Sequence, residues 1–301
     1  MLPLLWNSQN GCFGHTTIII TVFRVEDKME ITLAQLPCRE GCVADNLAQA
    51  LAFIERYAKG GNLILFPETQ LTGFAAAQGD TDYALQSDGA ELLQLVQASR
   101  QYDVALVIGF LERTDKGVFN STVLITPEQG IYLHYRKTHL WPDERNTVLR
   151  GDTLVCGVWR GTRIGLLICY DLEFAENARA LAVMGCQLLL VTNGNMDPYG
   201  PVHRNAALAR AQDNQMFVAM TNRCGEGDGL QFAGESLIVD PLGREVAGLG
   251  REAGALSATL DFTLLEQARS HYRYLDDRRL PLAREAQWVE GEEGRRGWPL
   301  G

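Results

Sequence analysis

No Cys-x-x-Cys pair, no His-Glu-x-x-His and no Gly-x-Gly-x-x-Gly occurs in this chain of 301 residues. The first two absences remove the commonest zinc signatures, and the third argues against a dinucleotide-binding Rossmann unit. The seven cysteines, at positions 12, 38, 42, 156, 169, 186 and 224, are odd in number and irregular in spacing. They read as thiols kept reduced in a cytoplasm, not as a disulfide framework. The five histidines are scattered as well, so no metal site and no cofactor is assigned. Positive charge is also short: 27 Lys and Arg against 37 Asp and Glu leave a net charge of −10. That balance excludes a nucleic-acid footprint. The apolar run Thr16–Phe23 falls far below the roughly 20 residues that span a bilayer, and it has neither a basic flank nor a small-residue cleavage site. A cytoplasmic protein without membrane or nucleic-acid partners is the expectation.

What is present is alternation. Residues 1–28 look unlike the rest and are expected to be disordered or an upstream-start extension, with the working domain opening at Met29 on the strand EITLAQL. Asp45 or Asn46 can cap a helix with Leu47, Leu51 and Ile54 on one side. Strand patterns follow at 62–66 and 104–110, separated by a helix carrying Leu92, Leu95 and Val96 on one face. The runs 121–126 and 131–136 form a hairpin through Pro127-Glu-Gln-Gly130, and 154–159 pairs with 163–168 through Arg160-Gly161. Further on come a strand at 188–192, a helix at 203–214, a strand at 216–221, a strand pair at 235–239 and 245–247, and a last strand at 256–260. Many strands in mixed hairpins with intervening helices predict an α/β fold of two mixed sheets packed face to face, with helices outside. Residues 271–301 are polar, and Tyr272, Tyr274 and Trp288 suit a tail lying against a partner subunit.

Three strand ends carry chemistry. Cys169 closes the apolar run RIGLLI and precedes a helix start, where a thiol can have its pKa lowered towards neutrality. Glu68 follows a strand and Pro67 in FPETQLTGF, and a carboxylate among apolar neighbours suits a general base. Lys137 ends the strand of HYRKTHLWPDERN, with its ammonium available to stabilise an oxyanion, while Arg136 faces the other side. Glu144, seven positions on, can orient the lysine or assist proton transfer. Taken singly, each of these residues also fits a surface or core role; together they supply a base, a cation and a nucleophile.

The segments LFPETQLTGF, YRKTHL with its following Glu, GLLICYDLEFAEN and ARAQDNQMFVAMTNRCGEGDGLQFAGESLIVDPLG resemble the signatures of the nitrilase superfamily of carbon–nitrogen hydrolases over roughly residues 29–280. The stretch from ICYDLEFAENARALAVMG through TNGNMDPYG, with YRYLDDRR, is most similar to the branch that includes bacterial 5-aminopentanamidase. The resemblance implies a four-layer αββα sandwich over residues 29–270. It also implies a Glu68–Lys137–Cys169 triad helped by Glu144, an oxyanion contact from the backbone N–H of Tyr170, no cofactor, and a homodimer or larger assembly. Implied, too, is hydrolysis of a linear carboxamide to acid and ammonia through a thioester, with an ω-amino amide such as 5-aminopentanamide as one substrate. Ala175 stands where the family commonly has Pro, and Trp141-Pro142 where similar amidases frequently have Phe-Gly.

Asn193, Asn195, Tyr199 and Trp141 are expected to line the substrate cleft, with Tyr170 as a further wall. A substrate ammonium needs an acid, for which Asp143, Glu173 and Glu226 are the nominees. An N-carbamoyl amino acid amidohydrolase, the alternative within the superfamily, needs an arginine for the substrate carboxylate, with Arg204 or Arg179 nominated. A true nitrilase is disfavoured because Tyr170-Asp171 stands where those enzymes usually carry Trp-Glu. A non-catalytic binding member of the same fold has no use for a base and a cation matched to a thiol.

Overall fold

The computed structural model describes residues 27–74, 81–282 and 288–300. Nearly all of the expected N-terminal extension therefore lies outside the described residues. In the first half the strands are β1 (Lys28–Gln35), β2 (Leu63–Leu65), β3 (Ala105–Thr114), β4 (Gly117–Thr126), β5 (Gly130–Arg136), β6 (Thr153–Trp159) and β7 (Thr162–Ile168). The second half adds β8 (Leu188–Asn193), β9 (Phe217–Asn222), β10 (Cys224–Gly227), β11 (Leu230–Ala233), β12 (Leu237–Val239), β13 (Glu245–Gly248), β14 (Gly254–Asp261), β15 (Val289–Glu290) and β16 (Arg296–Pro299). The helices are α1 (Val43–Tyr57), α2 (Ala90–Tyr102), α3 (Ala175–Val183), α4 (Gly200–Asn214) and α5 (Thr263–Arg269).

Two mixed sheets result, ordered β14-β1-β2-β3-β4-β5 and β13-β12-β9-β8-β7-β6-β16-β15. Their centres are parallel, β1 with β2 and β3 in one and β7 with β8 and β9 in the other, and antiparallel strands flank both. The side-chain period of two explains why these strands read as continuous apolar runs. Leu63 and Leu65 of β2 join Leu166 and Leu190 in the core between the sheets, while Ile64 turns outward to Leu47 and Ile54 of α1 and Leu95 of α2. Burying each such side chain contributes about 1.5–3 kcal/mol. Helices α1 and α2 cover the first sheet; α3 and α4 cover the second, where Ala207 and Ala211 let α4 lie close. This is the expected four-layer arrangement.

Some local readings do not hold. Neither Asp45 nor Asn46 caps α1, which begins at Val43 after Cys42. Asn46 lies inside the helix, and its amide clamps the backbone of Arg39 on both sides (2.9 and 2.7 Å) and the Leu71 carbonyl (3.2 Å). The β3–β4 hairpin runs past the expected ends at 110 and 121 because its polar residues are internally paired. Buried Glu112 takes hydrogen bonds from Ser121 and Arg136 at 2.7 Å each. The short hairpin β10–β11 hides in the glycine-rich CGEGDGLQFA. Of the tail, residues 296–299 pair with β6 of the same chain and bury Trp298.

Candidate active site

The carboxyl ends of the parallel strands gather at one place, where open α/β sheets commonly carry their chemistry. Glu68 lies three residues beyond β2, Lys137 one beyond β5, Cys169 one beyond β7, and Asn193 ends β8. All four are buried. Two glycines let the loops close in. A Cβ on Gly109 would sit 2.4 Å from the backbone nitrogen of Thr69, and one on Gly194 would sit 2.6 Å from Glu68 Oε2. Thr69 and Cys169 themselves hold positive φ angles of 47° and 45°, a strained conformation for side chains of this kind, found preferentially at functional sites.

Lys137 Nζ donates to Glu68 Oε1 and to Glu144 Oε2, both at 2.7 Å. Asn120, in the middle of β4, donates through Nδ2 to Glu68 Oε1 and to Glu144 Oε1, again at 2.7 Å. Glu144 closes the turn by accepting the Trp141 N–H at 2.9 Å. Two carboxylates thus share one ammonium in a dry pocket. Burial alone would push the Lys137 ammonium down, but Glu144 and then Glu68 outweigh it and hold it well above the ordinary lysine value. Burial, opposed by Lys137 and reinforced by Glu68, raises Glu144.

Cys169 opens a 3-10 turn, Cys169–Glu173. Its thiol corrects the expectation of a lowered pKa: burial, and then the Glu68 carboxylate, raise it well above the usual thiol range despite Lys137 and a hydrogen bond from the Gly194 backbone. The free N–H groups of a helix start are too few here to offset complete desolvation. The turn is locked by Asp171, which is fully buried. Asp171 accepts hydrogen bonds from Tyr135 (2.8 Å), Thr138 (2.9 Å) and the His139 backbone (2.8 Å), tying the cysteine's turn to the loop after Lys137.

Cys169 and Lys137 line one narrow cleft, walled by Phe74, Trp141, Met196 and Tyr199, with Glu173, Asn195 and His203 beside them. Trp141 packs edge-on against Tyr199 and Tyr170, with ring centroids 5.3 and 5.6 Å apart. Of the residues expected to bind substrate, Trp141, Asn195 and Tyr199 therefore face the cleft. Asn193 does not line it: its side chain is taken by His203 and the Met220 sulfur. Among the three acids nominated for an ammonium, Glu173 lines the cleft. Asp143 is exposed on the Pro142–Glu144 turn, and Glu226 lines a separate groove with Pro37 and Arg39. Neither nominated arginine lines the cleft: Arg204 pairs with Glu245 and Arg179 with Asp213. Sequence reasoning missed Asn120, Asp171, Gly194 and His203. Asn120 stands one residue before the run read as a strand at 121–126, with nothing local to mark its role. Among the described residues no group of three His, Cys, Asp or Glu side chains is placed to hold a metal ion, and no helix is long and apolar enough to cross a membrane.

A buried carboxylate–ammonium cluster beside a thiol, held between two sheets, defines a cysteine-dependent hydrolase site. The carbon–nitrogen hydrolase family matches residues 30–270, and the chain belongs to that family. Within it the chain is an amidase. It is 50% identical over 274 residues to an (R)-stereoselective amidase from Pseudomonas sp., covering 91% of this chain and 99% of the relative. It is 30% identical to the 2-oxoglutaramate amidase of Bacillus subtilis, covering 85% and 99%. Among solved structures it is similar, with a TM-score of 0.75, 29% identity and 83% and 94% coverage, to a mutant of the amidase from Nesterenkonia sp. AN1. That structure shows covalent addition of the acetamide moiety of fluoroacetamide at the active-site cysteine. The relative sharing half of its residues with this chain is thus a stereoselective amidase, not the 5-aminopentanamidase expected from the ICYDLEFAEN stretch.

Proposed function

We propose that the protein hydrolyses a linear carboxamide to the carboxylic acid and ammonia through a thioester on Cys169. The observation that supports this most is the pair of 2.7 Å contacts from Lys137 Nζ to Glu68 and Glu144, on the ammonium that shares its cleft with the thiol. Glu68 takes the thiol proton as Sγ attacks the amide carbon. The oxyanion is held by the Lys137 ammonium and the backbone N–H of Tyr170. Glu68 returns its proton to the leaving nitrogen, ammonia departs, and the thioester remains. The same carboxylate then takes a proton from water, whose oxygen adds to the thioester carbon, and the thiol is released with the acid. Glu144 positions Lys137.

For the acyl group, an ω-amino chain such as that of 5-aminopentanamide is the finer reading, supported by Glu173 among aromatic walls. In the same reading residues 29–270 are the hydrolase domain, the chain works as a homodimer with its 271–301 tail at the interface, and it resides in a cytoplasm. Ammonia release from a panel of amides, carbamoyl amino acids and nitriles tests the chemistry. Release from amides that disappears in Cys169→Ala is expected. An active Cys169→Ala protein would remove the nucleophile, a monomer mass by light scattering the dimer, and loss of fold in a chain beginning at Met29 the domain boundary.

A further inference from the structure

Arg223, directly after β9, is a cation with 1% of its side chain exposed, and it has no part in the thioester chemistry. Its ion-pair partner is Glu40 at 2.6 Å, which keeps 25% of its side chain exposed. Nη2 donates to the Cys38 carbonyl at 2.7 Å, and Nε meets no acceptor among the described residues. A buried pair of this kind contributes little to stability, because desolvation offsets most of the Coulomb attraction. It does fix geometry, and here it fixes two loops at once.

On one side is the β10–β11 hairpin. The guanidinium carbon lies 4.0 Å from the centroid of the Phe232 ring, a favourable place for a cation. Gly227 closes over the ion pair, since a Cβ there would run into both the Arg223 guanidinium and the Glu40 carboxylate. On the other side is the loop that ends at Phe74. The Gly41 N–H donates to the Thr72 carbonyl at 2.9 Å, and a Cβ on Gly73 would sit 2.6 Å from the Glu40 Cα. The two sides meet behind the cleft. Phe74 and Phe232 pack edge to face at 6.5 Å and bury Met196 with them, while the backbones of Met196 and Phe232 are bridged. The Ala233 N–H donates to the Asn195 carbonyl at 2.9 Å. Phe74, Met196 and Asn195 line the cleft; Phe232 and Arg223 stand behind them.

We propose that Arg223 is a positioning residue that sets the width of the acyl pocket: through Phe232 and Glu40 it holds Phe74 and Met196 firm against the acyl group of the amide. The proposal rests on the amidase reading above and deepens it, by assigning what limits the acyl group. An apolar wall discriminates by about 10–200-fold per methylene only while it does not yield. Without the cation the Phe232 ring is free to turn, and Phe74 and Met196 lose their backing. A broad acyl group then gains room, and a slim chain loses contact. Both changes act on binding in the ground and transition states alike, so they fall on KM and not on kcat.

Ammonia release from butyramide and from cyclohexanecarboxamide, measured on one preparation of each protein, tests this, because the ratio of the two kcat/KM values does not depend on the fraction folded. In Arg223→Met, where the partly exposed Glu40 can hydrate, the ratio is expected to move toward cyclohexanecarboxamide by at least about tenfold, carried by KM. Phe232→Leu, which disturbs no charge, is expected to move it the same way. The double variant is expected to move it no further than the larger single change, because the two side chains act in series. An unchanged ratio in Arg223→Met, a change carried by kcat alone, or effects that add in the double variant overturns the proposal. Should Arg223→Met not fold, an unchanged ratio in Phe232→Leu overturns it. Release from neither amide by the unmutated enzyme instead overturns the amidase reading, and the proposal with it.

Discussion

Replacing Lys137 by methionine keeps the length of the side chain and removes its charge, so its consequences can be worked from the contacts. The ammonium is fully buried and 2.7 Å from each of two carboxylates. At an effective dielectric of about 20, one such contact is worth about 6 kcal/mol of Coulomb attraction. Most of that offsets the desolvation of three ions, and breaking a buried pair typically costs about 3–5 kcal/mol net, because the remaining charge has lost its partner. Here two carboxylates remain, sharing Asn120, so the upper half of that range is expected. The pH dependence has a definite sign. Lys137 is raised in the folded state, so its contribution is complete below the ordinary lysine value of about 10.4 and is lost only as pH climbs through the folded value. In Lys137→Met, Glu144, already raised by burial, moves further up. A carboxyl with a raised folded-state pKa loses stability as pH rises from about 4.3 through that value. The gap between the two proteins should therefore widen from about pH 5 to pH 8 in denaturant unfolding. Ammonia release should fall by at least about 10²–10³. A variant within about 1 kcal/mol of the parent at about pH 8, or with a gap that narrows as pH rises, would refute the shared-ammonium account.

Three other perturbations follow from the same geometry. Gly194→Ala places a methyl 2.6 Å from Glu68 Oε2; displacing the base by about 1 Å should lower kcat by about 10² while the unfolding transition changes little. Asn120→Ala removes a donor from each carboxylate, and should cost about 1–3 kcal/mol of stability, read by denaturant unfolding, together with a fall in kcat. The Cys169 thiol is raised and buried, whereas Cys42 is exposed. A small neutral alkylating reagent without an amide group should therefore label Cys42 first near about pH 8, with Cys169 gaining ground only at higher pH, as peptide mass mapping would show. Faster labelling of Cys169 at that pH would mean a thiolate at rest.

Legibility in the sequence divided along a physical line. Residues at strand ends were readable because strand periodicity and turn residues locate them without any tertiary information. Glu68 after Phe66-Pro67, Lys137 after Tyr135-Arg136 and Cys169 after Leu167-Ile168 all stand in that way. The layering was readable for the same reason, since runs such as LIL and LLLV are apolar on both faces. Partners that come from the sides of other elements were not. Asn120 sits mid-strand with no local mark of its role, and His203 occupies the fourth position of α4 like any polar residue in a first turn. The direction of the Cys169 shift was misjudged because a sequence shows the turn that follows the cysteine but not the depth at which the fold encloses it.

That depth bears on the order of events in the proposed reaction. With the thiol held neutral, the resting site carries two carboxylates and one ammonium, and thus one surplus negative charge beside the sulfur. Forming a thiolate there first would add a second like charge in a dry cleft, which Glu68 and Glu144 oppose. Moving the thiol proton onto Glu68 during attack avoids this. Protonated Glu68 no longer competes for Lys137, and the negative charge passes to the substrate oxygen, where the ammonium can follow it while Glu144 still holds the other side. The total charge of the cluster stays constant through the step, and only its position shifts. Glu144 is therefore needed even though it touches no reacting atom. In Glu144→Gln, protonating Glu68 leaves the substrate oxyanion as the ammonium's one charged partner, and no carboxylate holds Lys137 from the other side. Acyl-enzyme formation should then slow by about 10²-fold or more, with substrate binding to the Cys169→Ala form retained. Equal acylation rates for Glu144→Gln and the parent in single-turnover mass spectrometry would break this account.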